Sequence, residues 1–138
     1  MTASYSHRVT SALSARAVLE NDFFGGWEIS DLDLFSRHQL TTSGTPGFVT
    51  DYFGIKTAVA FVPWAEGNSG GVFTDPPLPD DGVRAEAIEY FAMLHALENS
   101  PGDSFSAIEL GSSYAPWACA AGVLAVRLGK SKISLRAV

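Results

Sequence analysis

The segment that most constrains the fold spans residues 106–138, because it has the pattern of a strand, a tight turn, a helix and a second strand. Ala107, Ile108 and Leu110 form a short apolar run between turn-forming residues, which is typical of a strand buried on both faces. Residues 132–138 alternate apolar and polar side chains and predict the second strand. The sequence therefore predicts a βαβ unit, in which two parallel strands are joined by a right-handed crossover.

The helix of this unit is predicted over residues 117–128, which are almost all apolar. A helix that is apolar all round is buried, so we expect it to lie between the sheet and another layer. Pro116 suits its first turn, and Ser112 or Ser113 is placed to cap its N-terminus. We expect Cys119, inside this helix, to be a small buried apolar side chain and not a reactive thiol.

Upstream of this unit, residues 48–79 predict a small β-rich subregion. Residues 48–53 and 57–62 are rich in β-branched and aromatic side chains and flank a short turn that contains glycine, which predicts a hairpin. Residues 71–74 are a candidate for a short third strand.

Residues 80–138 follow as the start of a parallel-sheet domain. Residues 83–98 carry apolar side chains at intervals of three and four, so they predict an amphipathic helix. Asp80 and Asp81 precede it, where a side-chain cap and negative charge favour a helix N-terminus. Residues 1–47 show no comparable pattern, and we expect them to form a variable or partly disordered segment.

Composition narrows the classes of function. A chain of 138 residues suits one domain. A net charge of −6 and a pI near 4.8 disfavour nucleic acids and membrane surfaces as partners, because both are anionic. The longest apolar stretch, residues 115–126, is shorter than the ~20 residues of a membrane-spanning helix. Because the N-terminus also lacks the pattern of a signal peptide, we expect a cytoplasmic protein.

The candidate site lies where the first strand of the βαβ unit ends, at Glu109-Leu110-Gly111. Gly111 can adopt backbone angles closed to other residues, and it has no Cβ to block a ligand. In a functional interpretation Glu109 accepts hydrogen bonds from a cationic amino group of a cofactor. In a structural interpretation this is a tight turn that carries a solvated acid. The pattern alone leaves both open.

Other candidate residues give weaker signals. Tyr114 and Trp117 either flank a flat ligand ring or pack in the core. Three histidines are far apart in sequence, and none has the spacing of a metal site, so we expect no metal centre; they are His7, His38 and His95. No catalytic residue can be assigned. Ser113 and Pro116 occupy the second and third glycine positions of a dinucleotide-binding fingerprint, which counts against a nicotinamide or flavin site.

The segment from Asp80 to Tyr90 and the motif after the first strand together resemble the N-terminal half of FkbM-type methyltransferases. The resemblance covers about residues 48–138. Two residues, Ser113 and Ala115, stand where those enzymes usually have glycine. The residues that match the motif are Glu109, Leu110, Gly111, Ser112, Tyr114, Pro116 and Trp117.

The resemblance implies a cofactor, a reaction and a set of contacts. The cofactor is S-adenosylmethionine, and its methyl group passes to a hydroxyl oxygen of a small-molecule acceptor. Glu109 is expected to contact the methionine amino group. Gly111 and the residues after it, Ser112 to Ala115, are expected to pass under the methionine and ribose portions. The Ser113 hydroxyl is expected to bond the cofactor carboxylate.

The implied fold is α/β: a β-rich N-terminal region followed by the first βαβ unit of an incomplete Rossmann-like methyltransferase sheet. Such enzymes have further strands after the point that corresponds to Val138, so we expect the chain to be an N-terminal fragment that is inactive by itself. Two alternatives stay open. One is a fragment of a nicotinamide- or flavin-binding oxidoreductase. The other is a non-enzymatic small α/β domain, which pairs with a partner chain or with itself through its unfinished sheet edge.

Overall fold

The computed structural model describes residues 27–73 and 87–138. It shows a mixed α/β chain with two sheets of two strands each among these residues. The cap predicted at Asp80 and Asp81 and the first turn of the helix predicted from residue 83 lie outside the described residues. In chain order the elements are α1 (Ile29–His38), β1 (Phe48–Thr50), β2 (Lys56–Ala58), two 3-10 turns (Val59–Phe61 and Pro63–Asn68), α2 (Ala87–Asn99), β3 (Ser104–Glu109), α3 (Pro116–Arg127) and β4 (Lys132–Ala137).

The predicted βαβ unit is confirmed. β3 and β4 are parallel neighbours, and their register runs from Ser104 opposite Lys132 to Glu109 opposite Ala137. The two strands are also tied where they begin, because the Ser131 hydroxyl donates to the Asp103 carboxylate over 2.8 Å. That hydrogen bond, together with one from Lys132, lowers the pKa of Asp103.

The expectation that the first strand is buried on both faces is wrong. Along β3 half-buried residues alternate with exposed ones. Phe105 packs against the core, whereas Ile108 on the opposite face is 64% exposed. α3 covers one face of the sheet, and no element in the described part of the chain covers the other.

α3 is likewise buried on one side only. Its alanines and Leu124 pack inward, while Val123 and Val126 are exposed. Cys119 is exposed too, so the expectation of a buried thiol is wrong. An apolar sequence predicts a helix that packs against other elements, but it does not show whether such elements lie on both sides of the helix.

The predicted hairpin forms, with shorter strands than expected. β1 and β2 pair antiparallel, and residues 59–61, predicted as strand, form a 3-10 turn. The buried Asp51 carboxylate ends β1, because its Oδ1 accepts the N–H groups of Phe53 (3.0 Å) and Ile55 (2.7 Å). Of the predicted third strand, the described residues 71–73 form a single bridge, between Thr50 and Val72, and residue 74 lies outside the described residues.

One core joins the helices to the hairpin loop. Phe35 from α1, Phe53 from the loop, Tyr90 and Leu94 from α2 and Leu124 from α3 are all buried in it. α1 lies in the segment for which the sequence predicted no regular element. No helix within the described ranges is long and apolar enough to cross a membrane.

Candidate functional site

The candidate site is the turn from β3 into α3, at the carboxyl end of a parallel strand. Gly111 has φ +70°, as its predicted role requires, and a Cβ built on it would meet no atom within 4 Å. Ser113 and Ala115 also have positive φ, +44° and +57°. Three of the five residues from 111 to 115 therefore lie in the left-handed region, which is favourable only for glycine.

The two residues with a side chain and a positive φ are also the two that depart from the FkbM-type motif. At both positions, Ser113 and Ala115, those enzymes usually have glycine. A residue with a Cβ loses about 1–2 kcal/mol in the left-handed region. The turn thus has a conformation that suits glycine at positions where the sequence supplies serine and alanine.

Glu109 turns back onto the helix that follows it. Its Oε2 accepts the N–H of Ala118 over 2.7 Å, in the first turn of α3. The prediction that Ser112 or Ser113 caps this helix is wrong, because the N-cap position falls on Ala115, which has no side-chain acceptor. The carboxylate from the strand end supplies the acceptor and a negative charge that suits the helix N-terminus. The other oxygen, Oε1, has no hydrogen bond among the described residues.

The backbone amides of the turn are partly used by the chain itself. The carbonyl of Val138 accepts the N–H groups of Gly111 (2.8 Å) and Ser112 (3.1 Å). Ser113 is exposed, and within residues 27–73 and 87–138 neither its amide nor its hydroxyl has a hydrogen bond. Ser113 can therefore donate to an anionic group from both its amide and its hydroxyl.

Trp117 belongs to the core. It is half-buried, and its ring packs edge-on against Tyr90 with ring centroids 5.0 Å apart. Of its two interpretations the structure favours core packing.

Tyr114 connects the turn to the β-rich part of the chain. It packs beside a small cluster that includes Val49 and Val62, and its ring centroid lies 6.3 Å from that of Trp64. Trp64 is 64% exposed and lies next to the candidate site. The sequence analysis missed it, because no local pattern links residue 64 to residue 114.

A groove of about 470 Å³ lies between α2, β3 and α3. Its lining is mainly apolar and includes Ala92, Ala96 and Ala107. Two carboxylates also line it, Glu89 near the start of α2 and Glu109 at the end of β3. Because a short loop joins the end of α2 to the start of β3, both carboxylates lie at the end of the groove away from that loop.

The histidines lie apart from this turn. His38 bonds to Glu98 and His95 stacks on Phe91, while His7 is outside the described residues. No three His, Cys, Asp or Glu side chains in the described part of the chain are placed to hold a metal ion.

Comparison with protein-family models, with curated proteins and with solved structures finds no match to this chain.

Proposed function

We propose that the turn from β3 to α3 binds S-adenosylmethionine, and that this chain supplies the cofactor-binding N-terminal part of an FkbM-like methyltransferase. The methyl group would pass to a hydroxyl oxygen of a small-molecule acceptor. One observation carries the proposal: Gly111, Ser113 and Ala115 all have positive φ, and these are the three glycine positions of the motif that the chain resembles. The turn also lies at the carboxyl end of a parallel strand, where α/β folds bind nucleotide-like ligands.

The side chains present fit the methionine end of this cofactor. Oε1 of Glu109 accepts a hydrogen bond from the ammonium group of the cofactor, while Oε2 keeps its bond from the Ala118 N–H. The amide and hydroxyl of Ser113 donate to the carboxylate of the cofactor. The open space beside Gly111 lets the ligand approach the backbone closely. When bound, the cofactor supplies an electrophilic methyl group on a sulfonium.

The backbone amides of Gly111 and Ser112 are not available to such a ligand, since the Val138 carbonyl already accepts them. The negative charge of the site therefore comes from Glu109, and the backbone amide that can reach the ligand is that of Ser113. This division makes Glu109 the residue to test.

The test is calorimetric titration with S-adenosylhomocysteine, which has the same amino acid end. Glu109→Gln keeps an oxygen acceptor for the Ala118 amide and removes the charge that faces the ammonium. A charge-assisted hydrogen bond contributes about 1.5–3 kcal/mol, so we expect the variant to bind about tenfold more weakly or worse. The matched control is Glu89→Gln, which removes the other carboxylate of the groove.

Three results would count against the proposal. A folded wild-type chain that does not bind S-adenosylhomocysteine contradicts it directly. Equal loss in both variants would mean that the ligand senses only the general negative charge. Preferential binding of NADH or a flavin would support the oxidoreductase alternative, although Ser113 and Pro116 occupy two of the glycine positions which that alternative needs.

A further inference from the structure

Trp64 is a large aromatic side chain that stays exposed next to the candidate site. It lies in the second 3-10 turn, Pro63–Asn68, and 64% of it is exposed. Val62 before it and Ala65 after it are buried in the small cluster of the β-rich part. Packing therefore fixes the backbone of this turn and holds the Trp64 ring at the surface.

Tyr114 sets the position of Trp64 relative to the turn from β3 into α3. The centroids of the two rings are 6.3 Å apart, and their planes are inclined by 54°. Tyr114 also packs against the small cluster that contains Val62, so the β-rich part supports this contact. Because Tyr114 directly follows Ser113, the Trp64 indole lies within reach of a ligand that is anchored at Ser113.

Different parts of the chain lie beside the two ends of the proposed cofactor. Its amino acid group is assigned to Ser113, and Trp64 lies beside this part of the turn through Tyr114. The end of β4 lies beside Gly111, whose N–H donates to the Val138 carbonyl. Nucleoside groups bind along the carboxyl ends of parallel strands, here those of β3 and β4. Since a short methylene chain joins the amino acid group of the cofactor to its sulfonium, we expect the sulfonium, and not the adenine, to face the indole.

The charge around Trp64 favours a cation. Residues 57–73 carry a single charged side chain, that of Glu66, which is exposed in the same 3-10 turn. The face of an indole has a negative potential, and tryptophan is the aromatic side chain that binds cations best. The sulfonium of S-adenosylmethionine is a cation, whereas the sulfur of S-adenosylhomocysteine, the product of methyl transfer, is neutral. An indole beside the sulfur can therefore distinguish the two molecules.

We infer that the indole face of Trp64 contacts the sulfonium of the bound cofactor, and that Trp64 thereby increases the preference of the site for S-adenosylmethionine over its demethylated product. The inference rests on the proposed function, because it requires the cofactor to bind at the β3–α3 turn. It adds a residue from the β-rich part of the chain to a site that is otherwise built from residues 109–115.

The test compares the affinities of the full chain for S-adenosylmethionine and for S-adenosylhomocysteine by calorimetric titration. Trp64→Leu removes the aromatic face and keeps an apolar side chain, whereas Trp64→Phe keeps an aromatic face. The matched control is Phe61→Leu, because Phe61 is 63% exposed in the preceding 3-10 turn while the ring beside Tyr114 is that of Trp64. Circular dichroism shows whether each variant keeps the wild-type fold.

We expect Trp64→Leu to weaken the binding of S-adenosylmethionine about two- to fivefold relative to that of S-adenosylhomocysteine. Both ligands carry the ammonium group and the adenine, so this ratio reports on the sulfonium alone. Trp64→Phe should retain most of the wild-type ratio, and Phe61→Leu should leave it unchanged.

Two results would overturn the inference while the proposed function stands. Equal weakening of both ligands in Trp64→Leu would show that the indole stacks on the adenine. Unchanged affinity for both would place Trp64 outside the site. A folded wild-type chain that binds neither ligand would instead contradict the proposed function, and the inference with it.

Discussion

Ala115 has a backbone conformation that its own side chain disfavours. Its φ of +57° lies in the left-handed region, and it is the residue immediately before α3. The conformation is held because Glu109 binds the first turn of the helix and Tyr114 packs on the β-rich part of the chain. A strained residue fixed from both sides supports the ligand-binding role proposed for this turn.

Replacing Ala115 by glycine should stabilise the protein. Ala115→Gly removes a left-handed penalty of about 1–2 kcal/mol, partly offset by the greater freedom of glycine in the unfolded chain, so we expect a gain of about 0.5–1 kcal/mol. The measurement is the free energy of unfolding in urea. Ala92→Gly, at an exposed position inside α2, is the control and should cost about 1 kcal/mol. If both substitutions destabilise the chain, the turn is not strained at residue 115.

At the scale of elements, one carboxylate joins α1 to α2. Arg37 donates to both oxygens of Glu98, from Nε over 3.2 Å and from a terminal nitrogen over 2.8 Å, and the His38 ring lies 2.8 Å from the same group. The hydrogen bond from Arg37 is the main reason that the pKa of Glu98 is lowered. These hydrogen bonds link the end of α1 to the last turn of α2.

This contact should make the free energy of unfolding depend on pH. Because folding lowers the pKa of Glu98, its contribution is complete above the pKa of an unfolded glutamate, about 4.3, and is lost as the pH falls through the folded value. At pH 7 we expect Glu98→Gln to cost about 0.5–1 kcal/mol, since the pair is partly exposed. Below the folded pKa of Glu98 that difference should vanish in urea unfolding.

The comparison variant for this experiment is Glu66→Gln. It removes an exposed carboxylate from a 3-10 turn outside these helices. This substitution at an exposed position should change the free energy of unfolding at pH 7 by less than about 0.5 kcal/mol. A Glu98→Gln curve parallel to that of wild type from pH 7 to pH 3 would contradict the assigned role.

The sequence could predict those elements that local patterns determine, but not the contacts between residues that are distant in the sequence. The βαβ unit, the hairpin and the positive φ of Gly111 follow from local patterns, and all are found. The cap of α3 by Glu109 could not be predicted, because it joins groups nine residues apart across a turn. The contact of Trp64 with Tyr114 and the exposure of Cys119 depend on which faces are covered, and periodicity does not contain that information.

At the scale of the whole molecule, the helices hold the described parts together. Each sheet has two strands, which is too few to be stable by itself in water. Stability comes from the core shared by α1, the hairpin loop, α2 and α3. The outer face of the β3–β4 sheet ends in Ile108 and Leu110, which are 64% and 78% exposed. The βαβ unit thus combines a packed inner layer with apolar surface that has no cover in the described part of the chain.

This asymmetry predicts how amide hydrogens exchange along β3. The N–H groups of Ala107 and Glu109 point to β4, and those of Ser106 and Ile108 point to the groove. We therefore expect alternation, in which the first pair exchanges at least about tenfold more slowly than the second, because only the first pair needs local unfolding to open. Residue-resolved NMR exchange in the dilute chain measures this. The amides of Ala121 and Leu124, bonded inside α3, are the slow reference. Slow exchange at all four β3 amides would mean that the groove edge of β3 is already hydrogen-bonded in solution.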